Sequence, residues 1–327
     1  MAKKIVLYGN FSENMIKELN SKCPEGFETY HVAVGDDLQN ISDAQYMVNR
    51  GSKVDALIMD AAPHLKWIQK WGVGYDKIDV EAAGERNIPV GICVGGNSIP
   101  VAELTVTLML DVYRNILPLN EKMKSGVWDR ETYSDRSYLL HGKIIGLIGI
   151  GNIAKKVASI VKNGFGAQVL YYDVFRLNEE EEKTHGVKYV DLDTLMEQSD
   201  IVSIHIPLLE TTEGLIDYNK LSKMKPTACI INTSRGNIIK EDDLITVLRE
   251  GRILGAGLDT FAQEPLSKDS ELLKLDCVVT TPHCGGNTVD NDVNMAAICM
   301  ECISRYDAIG SHDMREIVNR KFLKSKK

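Results

Sequence analysis

An α/β fold with two doubly wound, mostly parallel sheets is predicted for this chain of 327 residues. Strand-like and helix-like segments alternate over residues 1–98, and a second alternation of the same kind begins at Lys143. Such alternation is typical of βαβ units, in which helices cover a parallel sheet. The length of the chain also suits two domains better than one.

The first series opens with the apolar strand KIVLYG, and a helix is predicted to begin near Ser12. Runs of β-branched and aromatic residues are typical of strands, whereas apolar residues spaced three or four apart are typical of helices. The remaining segments are, in order, FETYHVAV, AQYMV, the helix KVDALIMDAA, LKWIQKWG, the helix VEAAGERN and IPVGICV.

A long apolar helix is predicted between the two series, over residues 98–117. Ser98 is the candidate N-cap, Pro100 falls near the first turn and Glu103 follows closely, as is usual at the start of a helix. Because the segment is apolar on most faces, it should be buried between domains or between subunits. This favours a homodimer with an isologous contact.

The second series predicts another covered parallel sheet. A last helix is expected to begin at about Asn287, and the polar tail after it should return to the first domain, since the termini of such domain pairs often lie close together. The segments of the series are KIIGLIGIG, NIAKKVASIVKNGF, AQVLYYD, DLDTLMEQS, DIVSIHIP, ACIINTS, EDDLITVLREG, ILGAGLD and CVVTTPH.

Composition narrows the classes of partner. The net charge of −8 and the pI near 5.5 argue against binding to nucleic acid or to an anionic membrane, so small molecules are the expected partners. No apolar run approaches the roughly 20 residues of a membrane span, and the N-terminal apolar stretch is too short for a secretory signal. Seven scattered cysteines are typical of reduced thiols in a cytoplasmic protein. No metal site is predicted, because the C-x-x-C of Cys299 and Cys302 has no second pair.

The segment GLIGIGNIAKKVA predicts a phosphate-binding turn. Gly149, Gly151 and Ala154 fit the pattern G-x-G-x-x-G/A directly after an apolar strand and at the start of a helix. The glycines allow a tight turn and close approach of a pyrophosphate, whose charge is met by N–H groups at the helix N-terminus. Asp173 ends the following strand, where a carboxylate can accept hydrogen bonds from the adenosine ribose. The pattern therefore indicates a dinucleotide site.

Asp173 also favours NAD over NADP. A carboxylate about 4 Å from a 2′-phosphate would cost roughly 4 kcal/mol per unit charge at an effective dielectric constant near 20. Arg176, three residues further on, is the contrary observation, because a guanidinium there could accept a phosphate. NADP therefore remains an alternative.

Three side chains that follow predicted strands are suited to proton and hydride chemistry. Arg235 follows ACIINTS, and a guanidinium can bind a carboxylate through its planar fork. His283 follows CVVTTP, and an imidazole exchanges a proton readily near neutral pH. Glu264 can accept a hydrogen bond from the other ring nitrogen and so fix the tautomer. Each also has an ordinary structural interpretation, but their order behind a nucleotide-binding turn favours a catalytic set.

Four segments from Gly146 onward, GLIGIGNIA, NTSRGNII, GAGLDTFAQEP and TTPHCGGNT, are preceded by a fifth, KWGVGYDKIDVEAAGERNIPV. This combination resembles the D-isomer-specific 2-hydroxyacid dehydrogenase family, in particular its phosphoglycerate dehydrogenase and glyoxylate/hydroxypyruvate reductase branch. The likeness covers nearly the whole chain. It implies a flavodoxin-like substrate domain of residues 1–98 and 291–327, a Rossmann NAD-binding domain of residues 99–290, and a cleft between them.

The resemblance implies roles for individual residues. The catalytic residues of the family fall on Arg235, Glu264 and His283, of which the histidine is the proton donor in reduction. The substrate contacts fall on a backbone turn that binds the carboxylate and on two of the catalytic residues, namely Gly72, Val73, Gly74, Arg235 and His283. The cofactor contacts fall on Gly149, Gly151, Asn152, Ile153, Asp173, Ile206, Pro207, Thr212, Thr233, Arg235, Asp259, His283, Gly285 and Gly286.

The implied activity is NAD-dependent hydride transfer between a small 2-oxo acid and its D-2-hydroxy acid. TPHCGGNT lacks the aromatic residues that D-lactate dehydrogenases carry after this histidine, which favours glyoxylate, hydroxypyruvate or 3-phosphohydroxypyruvate. Asn49 and Arg50 lie where some relatives contact the substrate tail, although a solvent-facing loop explains them equally well. A non-catalytic, NAD-sensing corepressor on the same scaffold is an alternative, and formate or phosphite oxidation is a third.

Overall fold

A computed structural model of the chain describes residues 2–310 and 314–324. The chain divides into two compact units. The first unit comprises residues 1–97 and 287–327, and the second unit comprises residues 98–286. None of the helices in the described part of the chain has the length and apolarity that a bilayer span requires. Three stretches of the predicted first domain lie outside the described residues, namely 1, 311–313 and 325–327.

Strands and helices alternate through both units. The strands in the described residues are β1 (Lys3–Gly9), β2 (Phe27–Val32), β3 (Tyr46–Arg50), β4 (Trp67–Lys70), β5 (Val90–Gly91), β6 (Ile144–Ile148), β7 (Gln168–Tyr172), β8 (Val187–Tyr189), β9 (Ile201–Ile204), β10 (Cys229–Asn232), β11 (Gly255–Leu258) and β12 (Val278–Thr280). The helices are α1 (Glu13–Ser21), α2 (Ala56–Asp60), α3 (Val80–Glu85), α4 (Ser98–Arg114), α5 (Ile116–Lys124), α6 (Asn152–Phe165), α7 (Glu179–His185), α8 (Leu192–Gln198), α9 (Tyr218–Leu221), α10 (Glu241–Arg249) and α11 (Val289–Ile309).

The first unit is built on a five-stranded sheet in the order β2-β1-β3-β4-β5, with parallel neighbours. This is the strand order of flavodoxin-like folds. β1 and β3 are mostly buried, as expected for apolar strands covered on both faces. α1 and α11 contribute to one apolar core, in which Cys299 and Cys302 lie with Trp67. The C-terminal segment also belongs to this unit, because Ile317 pairs with Gly91 of β5.

The second unit is built on a seven-stranded parallel sheet in the order β12-β11-β10-β9-β6-β7-β8. Counted from β6, this is the 3-2-1-4-5-6 order of dinucleotide-binding sheets, extended by one strand. Apolar residues of α4 and α6 form one core, and those of α8 and α10 form a second. The prediction of two doubly wound parallel-sheet units is confirmed.

The single helix predicted over residues 98–117 is wrong. α4 ends at Arg114, because Asn115 adopts a left-handed conformation with φ of 51°. The Asn115 side chain stabilises this break by donating to the carbonyl of Arg136 at 3.3 Å. Ser98 is the first helical residue instead of the cap. The apolar side of α4 packs against α6, β10 and β11 of its own unit, so its apolarity is not a reason to expect a subunit interface.

Candidate active site

The order of strands in the second unit reverses between β6 and β9, and ligands of open α/β sheets bind at such a point, beyond the carboxyl ends of the strands. Gly149 and Gly151 form the turn between β6 and α6. Gly149 has a φ of 97°, and a Cβ there would lie 2.8 Å from the carbonyl oxygen of His205, so glycine is required. A Cβ on Gly151 would meet nothing within 4 Å, which leaves this side of the turn open to a ligand.

The N-terminus of α6 is suited to an anion. Asn152 and Ile153 begin the helix, and within the described residues no side chain caps its first turn. Exposed N–H groups and the helix dipole favour negative charge at such a position. Together with the open space beside Gly151, this helix end fits the pyrophosphate of a dinucleotide.

Asp173 directly follows β7 and is fixed beside the glycine turn. Its carboxylate accepts the N–H of Ile150 at 2.9 Å and the N–H of Phe175 at 3.0 Å. A carboxylate at the end of this strand is placed to accept hydrogen bonds from ribose hydroxyls. Arg176 is engaged by Glu182, with its Nε 2.9 Å from Oε1. Asp173 is thus held by backbone N–H groups, whereas Arg176 is held by the Glu182 carboxylate.

The loop after β9 contributes Ile206, Pro207 and Thr212. The Thr212 hydroxyl donates to the carbonyl of Pro207 at 2.7 Å and so closes the loop. His205 lies at the start of this loop, with its Nε2 2.9 Å from Oγ of Ser203. Desolvation lowers the pKa of His205 to about 3, so its ring is neutral at physiological pH. His205 is therefore not suited to donate a proton.

The loop after β10, which carries Arg235, is held by the buried side chain of Asn232. Nδ2 of Asn232 donates to the carbonyl of Arg235 at 2.9 Å, and Oδ1 accepts the N–H of Ser234 at 3.0 Å. The Ser234 hydroxyl donates to the carbonyl of Ile206 in the loop after β9. These bonds fix the backbone from which the Arg235 side chain extends.

Gly236 allows the Arg235 loop to approach the loop after β11. A Cβ on Gly236 would lie 1.9 Å from the backbone carbon of Phe261, a distance that no other residue type permits. Phe261 in turn donates its N–H to Oε1 of Glu264 at 3.3 Å. The loops that carry Arg235 and Glu264 are therefore in direct contact.

Glu264 and His283 form a pair. Nδ1 of His283 lies 2.9 Å from Oε2 and 3.0 Å from Oε1 of Glu264. The His283 side chain is 45% exposed, and that of Glu264 is 26% exposed. A carboxylate at Nδ1 sets the orientation of the ring and directs Nε2 away from the pair. The result is an accessible imidazole supported by a carboxylate, an arrangement suited to proton transfer.

The backbone of His283 is in the left-handed region, with φ of 50°, which is uncommon outside glycine. The buried Asp259 holds this turn from beneath. Its carboxylate accepts the Thr281 hydroxyl at 2.6 Å, the Cys284 N–H at 2.8 Å and the Gly285 N–H at 2.9 Å. Both carboxylate oxygens of Asp259 are thus engaged by the protein on either side of His283.

The remaining predicted contacts of the second unit also follow strand ends. Thr233 follows β10, and its hydroxyl lies 2.9 Å from that of Thr105 in α4. Gly285 and Gly286 follow β12. Because the carboxyl ends of parallel strands share one edge of a sheet, all the predicted cofactor residues lie along that edge.

In the first unit, the predicted substrate turn follows β4. Among the hydrogen bonds of the described residues, none uses the N–H of Gly72, Val73 or Gly74, while the carbonyl of Gly72 accepts the N–H of Cys93 at 2.9 Å. Successive N–H groups of this kind can bind an anion.

Asn49 is fully buried in β3 and donates to the carbonyl of Ser52, so the interpretation as a solvent-facing loop is wrong for this residue. The Arg50 guanidinium at the end of β3 contacts the side chain of Asn287. Both residues therefore contribute to the packing of the first unit.

Residues 106–285 match the sequence model of the D-isomer specific 2-hydroxyacid dehydrogenase, NAD binding domain. The match spans more than half of the chain and includes Arg235, Glu264 and His283. The chain belongs to the D-isomer specific 2-hydroxyacid dehydrogenase family. The resemblance inferred from the five segments is thereby confirmed.

Relatives extend the likeness to both units. A glyoxylate reductase of Thermofilum pendens is 41% identical over 80% of this chain and 78% of its own length. A glyoxylate/hydroxypyruvate reductase B of Cronobacter sakazakii is 33% identical over 99% of this chain and 100% of its own length. The NAD-dependent formate dehydrogenase of Staphylococcus aureus, solved in complex with NAD, aligns with a TM-score of 0.84 at 26% identity and covers 96% of this chain and 98% of that one.

Two features of this dehydrogenase site are not evident from sequence alone. The sequence does not predict the hydrogen bonds by which Asn232 fixes the Arg235 loop, although an asparagine directly after a strand often closes a turn through its own side chain. The family resemblance implies only a cofactor contact for Asp259, whereas its carboxylate also accepts hydrogen bonds from the turn around His283. Both are buried polar residues at strand ends, a position that requires hydrogen-bond partners.

Proposed function

We propose that this dehydrogenase uses NADH to reduce a small 2-oxo acid to its D-2-hydroxy acid, with Arg235, Glu264 and His283 as the catalytic residues. The observation that carries the proposal is the pairing of Nδ1 of His283 with the Glu264 carboxylate at 2.9 Å, at the ligand-binding edge of the NAD-binding domain. The names of the relatives, glyoxylate reductase and glyoxylate/hydroxypyruvate reductase B, support this reaction class.

The proposed mechanism assigns one task to each residue. The guanidinium of Arg235 binds the 2-oxo acid and polarises its carbonyl. When bound, the nicotinamide supplies the hydride that adds to the carbonyl carbon. Protonated His283 then gives its Nε2 proton to the carbonyl oxygen, while its Nδ1–H stays on the ring and donates to the Glu264 carboxylate, which stabilises the charged ring before transfer. One hydride and one proton are thus added across the C=O bond.

We also propose that the N–H groups of Gly72, Val73 and Gly74 bind the substrate carboxylate. The absence of protein acceptors for these groups within the described residues supports this role. Glyoxylate, hydroxypyruvate and 3-phosphohydroxypyruvate are the proposed substrates, and the first two correspond to the names of the relatives.

NAD is the proposed cofactor. The Asp173 carboxylate, fixed by two backbone N–H groups, repels the negative charge of a 2′-phosphate and accepts ribose hydroxyls. We therefore expect kcat/KM for NADH to exceed that for NADPH by about tenfold or more. This ratio corresponds to only part of the free energy of the unscreened charge repulsion, because salt screens the two charges. Steady-state assays with each cofactor at saturating 2-oxo acid measure this ratio, and equal values would contradict the assignment.

The activity is tested with a panel of 2-oxo acids. Purified protein is mixed with NADH and each of glyoxylate, hydroxypyruvate, 3-phosphohydroxypyruvate and pyruvate, and NADH oxidation is followed by absorbance. We expect turnover with at least one of the first three and little with pyruvate. If NADH binds tightly but none of the acids is reduced, the protein is an NAD sensor of the corepressor type and the enzymatic proposal is wrong.

We further propose that the protein is cytoplasmic. All seven cysteines, which lie in the described part of the chain, are free of disulfides, and this is typical of a reducing compartment.

A homodimer is the proposed assembly, through a patch other than α4. Several large apolar side chains are exposed along α5 and the segment after it, and Trp128 is 77% exposed. Solvent-exposed apolar clusters of this kind usually mark an interface, and a second copy of the chain is the proposed occupant. The other members of the patch are Ile116, Leu117, Met123, Val127 and Leu139.

Replacing Trp128 by glutamate is expected to convert the dimer to a monomer, because a buried, unpaired charge would destabilise the contact. Light scattering after gel filtration should give about twice the chain mass for the wild type and the mass of a single chain for Trp128→Glu. Leu57→Glu is the matched control, since Leu57 is 73% exposed in the first unit and lies outside the patch. A wild-type protein that is monomeric at micromolar concentration would contradict the proposal.

A further inference from the structure

Glu182 lies at the centre of a polar network beside the end of β7. Its Oε1 accepts the hydroxyl of Tyr171 at 2.9 Å and Nε of Arg176 at 2.9 Å, and its Oε2 lies 3.4 Å from Nη2 of Arg176. The Arg176 guanidinium also lies over the ring of Tyr189, 5.1 Å from its centroid. Arg176 is therefore held both by a carboxylate and by an aromatic ring.

The carboxylate in this network is fixed more firmly than the guanidinium. The side chain of Glu182 is 15% exposed, whereas that of Arg176 is 59% exposed. The buried Tyr171, which donates to Glu182, accepts the N–H of Leu177 at its own hydroxyl. The bond to Arg176 holds the pKa of the Glu182 carboxyl below its ordinary value, so the group is ionised at neutral pH. The position of the guanidinium is thus set by Glu182, because the better-anchored partner determines the geometry.

We propose that Glu182 is a second determinant of cofactor choice, which withholds Arg176 from a 2′-phosphate on the adenosine ribose. The inference rests on the proposed function, since it takes the ribose to bind at Asp173. A guanidinium is the side chain best suited to bind a phosphate through two hydrogen bonds, and Arg176 is only three residues beyond Asp173. NADPH is then disfavoured twice, by repulsion from Asp173 and by loss of the nearest cationic partner.

The proposal predicts that the two acidic residues act together. In the Asp173→Ser variant the repulsion is removed, and the serine hydroxyl can still accept a backbone N–H. Adding Glu182→Gln removes the negative charge beside Arg176 and replaces the acceptor that faces Nη2 by an amide NH2 group, so Arg176 is held less firmly, while the glutamine carbonyl retains the bond from Tyr171. We expect this second substitution to strengthen NADPH binding by about tenfold or more, the scale of a charge-assisted hydrogen bond to a phosphate. Glu182→Gln alone should change NADPH binding by less than about threefold, because Asp173 still repels the phosphate.

Isothermal titration with NADH and with NADPH measures these affinities without any 2-oxo acid. Glu180→Gln in the Asp173→Ser background is the matched control, because Glu180 is an exposed residue of α7 that carries the same charge and has no bond to Arg176 among the described contacts. It should change the NADPH affinity by less than about twofold. Adding Arg176→Ala to the double variant should abolish the gain. The NADH affinity, measured in parallel, reports whether each variant retains a folded cofactor site.

The outcomes separate this inference from the proposed function. A gain that requires both Glu182→Gln and Arg176 supports the inference. The inference alone is overturned if NADH binds as expected but Glu182→Gln strengthens NADPH binding no more than Glu180→Gln, or if the gain survives Arg176→Ala. Failure of the wild-type protein to bind NADH would instead contradict the proposed function, and the inference with it.

Discussion

The His283→Gln variant is expected to reduce 2-oxo acids with a kcat about 100- to 10,000-fold below that of the wild type, the range typical for loss of a general acid. Glutamine can occupy similar space and make hydrogen bonds, but it cannot deliver a proton to the carbonyl oxygen. The loss should appear mainly in kcat, since the proton is transferred only as the hydride adds. Steady-state kinetics with NADH and the best 2-oxo acid of the panel measure it.

Two further variants test the assignment of His283. Glu264→Gln removes the charge that faces Nδ1 at 2.9 Å and should lower kcat by a smaller factor, because the imidazole remains. His64→Gln changes an exposed histidine of the first unit and should leave the rate unaltered. A His283→Gln protein with more than about a tenth of the wild-type kcat would exclude the histidine as the proton donor.

The Arg235→Ala variant is expected to lose at least nine tenths of kcat/KM. Removal of a charge-assisted hydrogen bond to the substrate typically costs about 1.5–3 kcal/mol, which corresponds to a loss of roughly 10- to 150-fold. Arg235→Lys should lie between alanine and the wild type, because the ammonium group keeps the charge but not the planar fork.

The control for this prediction is Arg249→Ala, which removes an exposed guanidinium paired with Glu271 in the same unit. It should change kcat/KM by less than about twofold, since exposed ion pairs contribute little. The affinity for NADH measured by titration should also be similar in Arg235→Ala and the wild type if the guanidinium acts on the 2-oxo acid. Retention of more than a tenth of wild-type kcat/KM would contradict that role.

Much of the fold was predictable because patterns of neighbouring residues in the sequence determine many of its strands, helices and turns. β6 and β9 are apolar runs bounded by turn residues, and the glycines after β6 indicate the turn that the structure contains at Gly149. Elements that depend on distant contacts were not predictable. β5 covers only Val90–Gly91, although the strand-like segment IPVGICV is longer, because Ile92 bonds instead to Glu316 near the C-terminus.

The end of α4 after Arg114 also depends on a contact with a residue that is distant in the sequence. The segment around Asn115 has the apolar pattern of a continuous helix, and only the bond from its side chain to the Arg136 carbonyl, 21 residues away, stabilises the left-handed residue that ends α4. No pattern of neighbouring residues in the sequence indicates a hydrogen-bond partner so far along the chain. Asparagine is nevertheless among the residues that adopt this conformation most readily, which is the one signal that could have placed the break.

At the candidate site, the residues suited to catalysis were easier to predict than the residues that hold their loops in place. Arg235, Glu264 and His283 were assigned from residue type and order, and the structure places the last two in contact. The buried Asn232 and Asp259 act through bonds to backbone groups of their own loops, and such bonds follow from the loop conformation instead of from residue spacing. A strand-ending asparagine or aspartate beside a predicted catalytic loop is therefore worth testing as a positioning residue.

Transfer of deuterium from labelled NADH tests the central claim most directly. The protein is incubated with hydroxypyruvate and NADH that carries deuterium at both C4 positions, and the glycerate formed is analysed by mass spectrometry and by chiral chromatography. We expect D-glycerate that is one mass unit heavier, with the label at C2, and almost no product from His283→Gln. Unlabelled glycerate, a racemic or L product, or full activity without His283 would contradict it.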